Sequence, residues 1–387
     1  MKRYVLVLFT ICAAVLCVAG QKRDTGRKSA NSLSQKKPCF SKKFREAAER
    51  TARVYHEPDT AYDPVLGYNP AMGMRAGAPA VDENGLGKPF QCMANVKENP
   101  GTGTLPKFYC SASEYVDDKG DLIRFKIKPH FKGQERDKRN GEVTGEFLSS
   151  RFSQALGFYA DDAWVADVTC PDCERSLTKK FQGAKFDPFQ PAAGISLSLG
   201  KGIDVDCDDK DSAPLAETLK KLRENGGNRS EIDAFTLWLA FIDHGDTKTD
   251  NHSLACLKPV SSRNGTLTCA PGQTVFFVSD MGSTFGFSSA SEQKARLELW
   301  RKKEPLKIED NKCYTTAKDV GDKLISEGGR KLLAGGLQRL LDGETKDGLI
   351  TKVFRASRNA ERDEPPEVWT AEFISKANMI ISARCTD

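Results

Sequence analysis

Two short stretches of the chain decide the fold, His244-Gly-Asp-Thr-Lys-Thr-Asp-Asn251 and Asp280-Met-Gly282. The first follows residues 231–243, which are apolar almost all round and predict a buried helix. Between the two stretches, the apolar segments 253–260 and 274–279 predict a pair of strands joined by a turn. Phosphoryl transfer uses an Asp to deprotonate a hydroxyl, and an Asn and a second Asp to hold divalent ions. The two stretches contain these residue types in that order.

Upstream of the two stretches, the pattern is that of a small sheet. Residues 90–96, 107–116 and 122–128 are strand-like, and the last segment alternates with period two. The tight turn 117–120 joins the second and third segments, so three successive antiparallel strands are expected. Residues 142–158 then switch to helical spacing. The sequence therefore predicts an α+β fold that begins with a small antiparallel sheet and one helix.

The rest of the chain is predicted to be mainly helical. Further amphipathic or apolar helices are expected at 213–224, 330–341, 348–357 and 368–382, and a short one at 42–55. These helices would surround the buried helix that precedes the first stretch.

The order of these elements resembles that of the protein-kinase superfamily. Residues 244–251 look like the kinase catalytic loop, and Asp280-Met-Gly282 looks like the metal-binding Asp-Phe-Gly. The turn that contains Gly101 and Gly103 lies where kinases place their phosphate-covering loop. The resemblance covers about residues 90–290. The sequence also looks similar to poorly characterised secreted bacterial kinase-like proteins and to atypical kinases. This resemblance implies a two-lobe fold that binds ATP, or another purine nucleotide, with Mg or Mn between the lobes.

The resemblance implies roles for four residues of the two stretches. Asp246 would orient and deprotonate the acceptor hydroxyl, and Lys248 would stabilise the transferring phosphoryl group. Asn251 and Asp280 would ligate the metal ions. The acceptor itself stays open among protein, glycan, lipid and small molecule, and nucleotidyl transfer is an alternative reaction.

The resemblance also assigns residues of the predicted sheet and its helix. Lys128 would bind the nucleotide phosphates, and Glu146 would hold Lys128 in place. Lys126 and Glu142 are the alternatives, because a shift of two residues in a strand, or four in a helix, keeps a side chain on the same face.

Two other function classes fit part of the same pattern. A kinase-shaped binding protein without transfer activity would use the same metal and nucleotide residues. A metal-dependent hydrolase would instead use His244, Asp246, Asp250 and His252, since clustered His and carboxylate side chains bind zinc and other transition metals. Outside that reading, His244 and Asp250 are expected to support the loop.

The N-terminal residues have the pattern of a secretory signal peptide. Two basic residues precede the apolar run 4–19, and small residues follow it. The expected organisation is a signal peptide at 1–20, a flexible leader at 21–85, a sheet-and-helix lobe at 86–165 and a mainly helical lobe at 166–387. Because no second run is long enough to span a bilayer, we expect no stable membrane insertion after signal cleavage. The expected location is secreted, periplasmic or in the secretory-pathway lumen.

Cysteine content and overall composition agree with an extracytosolic globular protein. Ten of the 12 cysteines follow the signal peptide, and an even number in an oxidising compartment predicts up to five disulfides. Cys256 and Cys269 flank a turn and could link its strands, and Cys170 and Cys173 are interpreted as structural cysteines rather than a redox or zinc site. The net charge of +5 is spread along 387 residues, which excludes a dedicated nucleic-acid binder.

Overall fold

The computed structural model gives a defined placement to most of the chain. It describes residues 40–68, 70, 81–94, 107–116, 122–128, 142–170, 194–197, 203–204, 214–248, 251–261, 267–278, 280–286, 297–357 and 364–387. The predicted signal peptide at 1–20, the turn with Gly101 and Gly103, and Asp250 lie outside the described residues.

The N-terminal half builds a six-stranded sheet. Its strands are β1 (Gly87–Gln91), β2 (Met93–Ala94), β3 (Phe108–Val116), β4 (Leu122–Lys128), β5 (Asp162–Thr169) and β6 (Gly194–Leu197). They are ordered β1-β5-β6-β4-β3-β2. The pairs β2–β3 and β3–β4 are antiparallel, which confirms that prediction. The predicted strand 90–96 is divided between β1 and β2, and β1 pairs in parallel with β5.

Strands β5 and β6 are the part of this sheet that the sequence did not predict. They pair with each other and insert between β1 and β4. The sheet therefore continues past the expected lobe boundary at residue 165, which falls inside β5.

Helix α2 (Glu142–Leu156) packs between the six-stranded sheet and helices of the C-terminal half. It contacts β5 and β6 of the sheet and two helices of the C-terminal half, so nearly all of its faces are buried. This explains why serines, a threonine and an arginine are buried on it together with its phenylalanines.

The C-terminal half is mainly helical, as predicted. Its helices are α3 (Leu215–Glu224), α4 (Arg229–Phe241), α5 (Leu297–Arg301), α6 (Glu327–Asp347), α7 (Leu349–Ala356) and α8 (Pro366–Ser382). Helix α4 begins at an Asn228 cap, whose side chain accepts hydrogen bonds from the backbone N–H groups of Ser230 and Glu231. It ends at Phe241 with Ile242 as its C-cap, and Asp243 adopts a left-handed φ of 52° that turns the chain into the next loop.

Three small sheets accompany these helices. One has the order β11-β8-β7, formed by β7 (Ile203–Asp204), β8 (His252–Cys256) and β11 (Thr274–Val278). The others pair β9 (Pro259–Ser261) with β10 (Leu267–Cys269), and β12 (Leu306–Glu309) with β13 (Lys312–Thr315) and β14 (Leu324–Ile325). The antiparallel pairing of β8 with β11 agrees with the predicted strand pair.

Part of the segment expected as a flexible leader is packed on the main body. Helix α1 (Lys42–Thr51) precedes an extended segment in which Val54 and Tyr55 are buried in the main hydrophobic core. The Arg53 backbone donates to the Thr274 carbonyl oxygen (3.0 Å) and accepts from the backbone N–H of Phe276 (2.9 Å), so this segment borders β11. Residues 38–387 form one compact unit.

Disulfides connect neighbouring elements at three described places. The pairs are Cys92–Cys110, Cys256–Cys269 and Cys313–Cys385, with Cα–Cα distances of 5.6, 5.6 and 5.3 Å. The predicted link between Cys256 and Cys269 is confirmed, and Cys170 is disulfide bonded as well. Among the residues with a defined placement, no helix combines the length and apolar character needed to cross a membrane. The α+β, disulfide-stabilised fold expected from the sequence is thus observed.

Candidate active site

The candidate site begins at the end of β4, where two lysines lie on one face of the sheet. Because side chains alternate along a strand, Lys126 and Lys128 project from the face opposite to Phe125 and Ile127. Phe125 and Ile127 are fully buried, and the Lys128 side chain is only 2% exposed.

Lys128 forms ion pairs with three carboxylates from two other elements. Its Nζ contacts the Glu146 carboxylate, and lies 3.1 Å from Glu142 Oε2 and 3.0 Å from Asp280 Oδ1. Glu142 and Glu146 are one turn apart on α2, whereas Asp280 follows β11. The predicted partners Lys128 and Glu146 are therefore in contact, and the alternative residue Glu142 contacts the same ammonium.

Asp280 is shared between the two lysines. Its Oδ2 lies 3.1 Å from Lys126 Nζ, while its Oδ1 contacts Lys128. Burial alone would raise the pKa of Asp280, but the ammoniums of Lys128 and Lys126 hold that pKa well below its usual range. Burial would likewise lower the pKa of Lys128, but Asp280, Glu142 and Glu146 raise it well above its usual range. At neutral pH Asp280 is therefore a carboxylate, and Lys126 and Lys128, whose pKa values are both raised, are ammoniums.

Helix α2 approaches the loop of Asp280 closely because both carry a glycine. A Cβ atom added to Gly145 would lie 2.3 Å from the carbonyl oxygen of Gly282. Thr284 locks this contact, since its Oγ1 donates to the Gly145 carbonyl oxygen (3.2 Å) and lies 2.8 Å from Ser149 Oγ. This contact brings Glu146 and Asp280 together at the ammonium of Lys128.

The loop after α4 lies beside the loop of Asp280. The backbone N–H of Gly245 donates to the Ser283 carbonyl oxygen (3.0 Å), and that of Phe285 donates to the Ile242 carbonyl oxygen (2.7 Å). Two backbone hydrogen bonds thus join the segment at the start of residues 244–251 to the segment that directly follows Asp280-Met-Gly282.

The side chains of the first loop are organised around Asp246. Lys248 Nζ donates to Asp246 Oδ2 (2.9 Å), and Asn251 Nδ2 donates to the backbone carbonyl oxygen of Asp246 (3.0 Å). Asp246 is 27% exposed and Lys248 is 69% exposed, so both can meet a molecule that approaches from solvent. Asn251 is buried, and its Oδ1 is the amide atom left for a cation.

The strand register brings Asn251 and Asp280 to the same end of the small sheet. His252 at the start of β8 pairs with Val278 at the end of β11. Asn251 directly precedes that pair and Asp280 follows it by two residues. Carboxylate and amide oxygens are hard donors that suit Mg²⁺ and Mn²⁺, so these two residues fit the metals implied by the sequence.

His244 lies next to the site but is not charged. Burial lowers its pKa to about 4, although Asp246 and Asp280 act in the opposite direction. Its Nδ1 has no hydrogen-bond partner within the described part of the chain. Among those residues, no group of three or more His, Cys, Asp or Glu side chains is placed to hold a metal, and Asp250 of the alternative zinc set lies outside them.

Three features of the site were missed or left open by the sequence. Lys126 and Lys128, and likewise Glu142 and Glu146, are alternatives in the sequence. In the structure both glutamates contact Lys128, and both lysines contact Asp280. The role of Gly145 was not foreseen, because a glycine inside a helix has no sequence signal for what it packs against.

Comparison of the sequence with protein-family models and with curated proteins finds no match. Among solved structures, the chain is similar to the Helicobacter pylori proinflammatory kinase CtkA, with a TM-score of 0.37 and 11% sequence identity. The matched region covers 76% of this chain and 98% of that one. The similarity is distant, that of a kinase-like fold at most, and it identifies no residue of this chain as functional.

Proposed function

We propose that this chain is a kinase-like phosphotransferase that binds ATP, or another purine nucleotide, with Mg²⁺ or Mn²⁺ at Asp280. The observation that carries the proposal is the ammonium of Lys128, which contacts both Glu146 and Asp280. These three residues come from β4, α2 and the loop after β11, in the order in which kinases supply their phosphate-binding Lys, its Glu partner and a metal-binding Asp.

A purely structural ion-pair network is the competing explanation of this cluster. Burying charges costs desolvation free energy that their attraction often fails to recover, so such clusters are a weak source of stability. Asp280 and Lys126 are 22% and 21% exposed, which keeps the cluster within reach of a ligand from solvent. Strongly shifted pKa values beside an open surface are typical of functional sites.

The residues of the first loop supply the chemistry of transfer. Asp246 would accept the proton of an acceptor hydroxyl while the oxygen of that hydroxyl forms a bond to the γ-phosphorus. The bond from that phosphorus to the bridging oxygen breaks, and the nucleoside diphosphate leaves. Lys248, which lies 2.9 Å from Asp246, would stabilise charge on the transferring group. Asn251 and Asp280 would hold a divalent ion, which neutralises phosphate charge when bound.

The acceptor is a hydroxyl on a protein, glycan, lipid or small molecule, and nucleotidyl transfer uses the same residues. The disulfides favour an oxidising compartment, and with the signal-like N-terminus they support a secreted, periplasmic or secretory-lumen location.

Ligand-dependent unfolding tests the proposal. We expect ATP with Mg²⁺ or Mn²⁺ to raise the melting temperature of the oxidised protein. When the ATP concentration is about 100 times the dissociation constant, the free energy of unfolding should rise by roughly 2.7 kcal/mol. Lys128→Met and Asp280→Asn should lose this shift. Asp310→Asn, an exposed turn residue, makes the same charge change away from the site and should keep the shift.

Transfer is measured separately, with γ-labelled ATP and a panel of protein, glycan and lipid acceptors. Label transfer that disappears in Asp246→Asn supports a kinase. Nucleotide binding without transfer would instead favour the kinase-shaped binding protein. No stabilisation by any nucleotide, with either metal, would refute the proposed function.

A further inference from the structure

Two further lysines share the face of the sheet that carries Lys128. In the β3–β4 pair, Phe108 is opposite Ile127 and Tyr109 is opposite Lys126. Extending this register by one residue places Lys107 opposite Lys128. Directly opposed residues of an antiparallel pair project to the same side. Lys107, Lys126 and Lys128 therefore form a lysine triad on one face.

The members of the lysine triad differ in how well their charge is balanced. Lys128 has three carboxylate partners, whereas Lys126 pairs with Asp280. Lys107 is half-buried and forms no ion pair with any described residue. Burial, and then the charge of Lys126, lower the pKa of Lys107, although Asp280 and Glu142 act in the opposite direction. The triad is thus unevenly paired: the three carboxylates equal the three lysines in number, but all of them contact Lys128 and, among the described residues, none contacts Lys107.

Occupation of the site would make this imbalance larger. When Asp280 turns to a cation, as the proposed function requires, Lys126 loses its partner in this cluster. Two neighbouring, partly buried ammoniums would then repel each other and lack a counter-ion, which is unfavourable. A chain of phosphate groups supplies several negative oxygens at this spacing and would replace Asp280 as the partner of the lysines.

We propose that Lys107 and Lys126 act together with Lys128 as a binding site for an oligophosphate chain. The nucleotide's phosphates, more than its base, then provide the binding affinity. The site binds a triphosphate most tightly, a diphosphate less tightly and a monophosphate least tightly. The identity of the ligand as a nucleotide rests on the proposed function, but the lysine triad also binds inorganic triphosphate.

Calorimetric titration of the purified, oxidised chain in Mg²⁺ tests this inference. The probes are ATP, ADP, AMP and inorganic triphosphate. Lys107→Met and Lys126→Met should each weaken ATP and triphosphate binding by about tenfold, the usual loss of one charge-assisted hydrogen bond, and affect AMP much less. Lys88→Met removes a charge from an exposed position of β1 in the same sheet and should change nothing.

The arginine variants separate a lost contact from a lost fold. Lys107→Arg and Lys126→Arg keep the charge and should retain most of the triphosphate affinity. Melting curves without ligand show which methionine variants are folded. Where a methionine variant is not folded, the test uses the arginine variant at that position and the dependence of triphosphate binding on salt concentration. Steep loss of triphosphate binding with salt is expected of a multi-lysine site.

The outcomes distinguish this inference from the proposed function. ATP binding that is unchanged in Lys107→Met and Lys126→Met overturns the triad and leaves the function standing. Triphosphate binding that depends on both lysines, with no response to ATP, supports the triad and overturns the function. An absence of binding by all four probes overturns both.

Discussion

Lys128 and His244 are both buried beside carboxylates, but they hold opposite charge states. Lys128 is in direct contact with three carboxylates, whose attraction exceeds the cost of burial and raises its pKa. His244 forms no ion pair with a carboxylate among the residues that the structure describes, so burial prevails and its pKa falls to about 4. At the residue scale, direct contact decides which buried base keeps its proton.

The neutral state of His244 predicts a pH dependence of stability. Its pKa is about 4 in the folded chain and 6.5 ordinarily, so the unfolded chain binds the proton more tightly. Its contribution is complete above pH 6.5 and is lost as the pH falls towards 4, with a slope of up to about 1.4 kcal/mol per pH unit. Urea unfolding between pH 7 and pH 4 should give a flatter profile for His244→Gln than for the wild type. Parallel profiles would show that His244 is not buried in its neutral form.

At the element scale, the decisive contact is that of α2 with the loop of Asp280. Thr284 joins Gly145 and Ser149 of the helix, and Ser153 lies within 3.9 Å of the Met281 sulfur. Trp238 of α4 donates to the same Ser153 hydroxyl (2.8 Å). One face of α2 thus connects the lysine end of the site to the helix that carries the first loop.

Gly145→Ala should therefore damage the site although alanine is the better helix former. The added Cβ meets the Gly282 carbonyl oxygen, and overpacking of this kind costs about 1–3 kcal/mol. Gly335→Ala in α6 is the matched control, because nothing lies within 4 Å of its Cβ position, and it should stabilise the protein by up to about 1 kcal/mol. Urea unfolding of both variants measures whether each substitution lowers or raises the free energy of unfolding. Equal stabilisation by both alanines would contradict the close contact.

At the scale of the whole molecule, the longest described disulfide joins β13 to the C-terminal end of the chain. Cys313 and Cys385 are 72 residues apart, whereas Cys256 and Cys269 are 13 apart. Glu327 strengthens the same region, because its carboxylate accepts from the Arg330 side chain (2.7 and 2.8 Å) and from the backbone N–H of Cys385 (3.0 Å). These contacts attach the residues that follow α8 to the sheet of β12, β13 and β14 and to the start of α6.

Loss of the longer disulfide should cost more stability than loss of the shorter one. Loop entropy gives about 4 kcal/mol for the pair Cys313–Cys385 and about 3 kcal/mol for Cys256–Cys269. Double serine variants of each pair, compared by urea unfolding, measure this order. A larger loss for Cys256–Cys269 would mean that local contacts, and not chain entropy, dominate.

Local patterns were sufficient wherever an element carries its own signal. The period-two alternation of residues 122–128 predicted β4, and the apolar run 231–243 predicted α4. Turn length similarly pointed to the bond between Cys256 and Cys269. Strands β5 and β6 were missed because their pairing joins segments that are far apart in sequence, and no local pattern encodes a distant partner.

The sequence by itself determined the two loops, their order and the faces on which Lys126, Lys128, Glu142 and Glu146 lie, since spacing along one element sets the direction of its side chains. Only the tertiary structure decided that Lys128 contacts both glutamates and that Asp280 is shared by two lysines. These contacts join β4, α2 and the loop after β11. They depend on how closely distant segments pack, and at Gly145 that distance is set by the absence of a single Cβ atom.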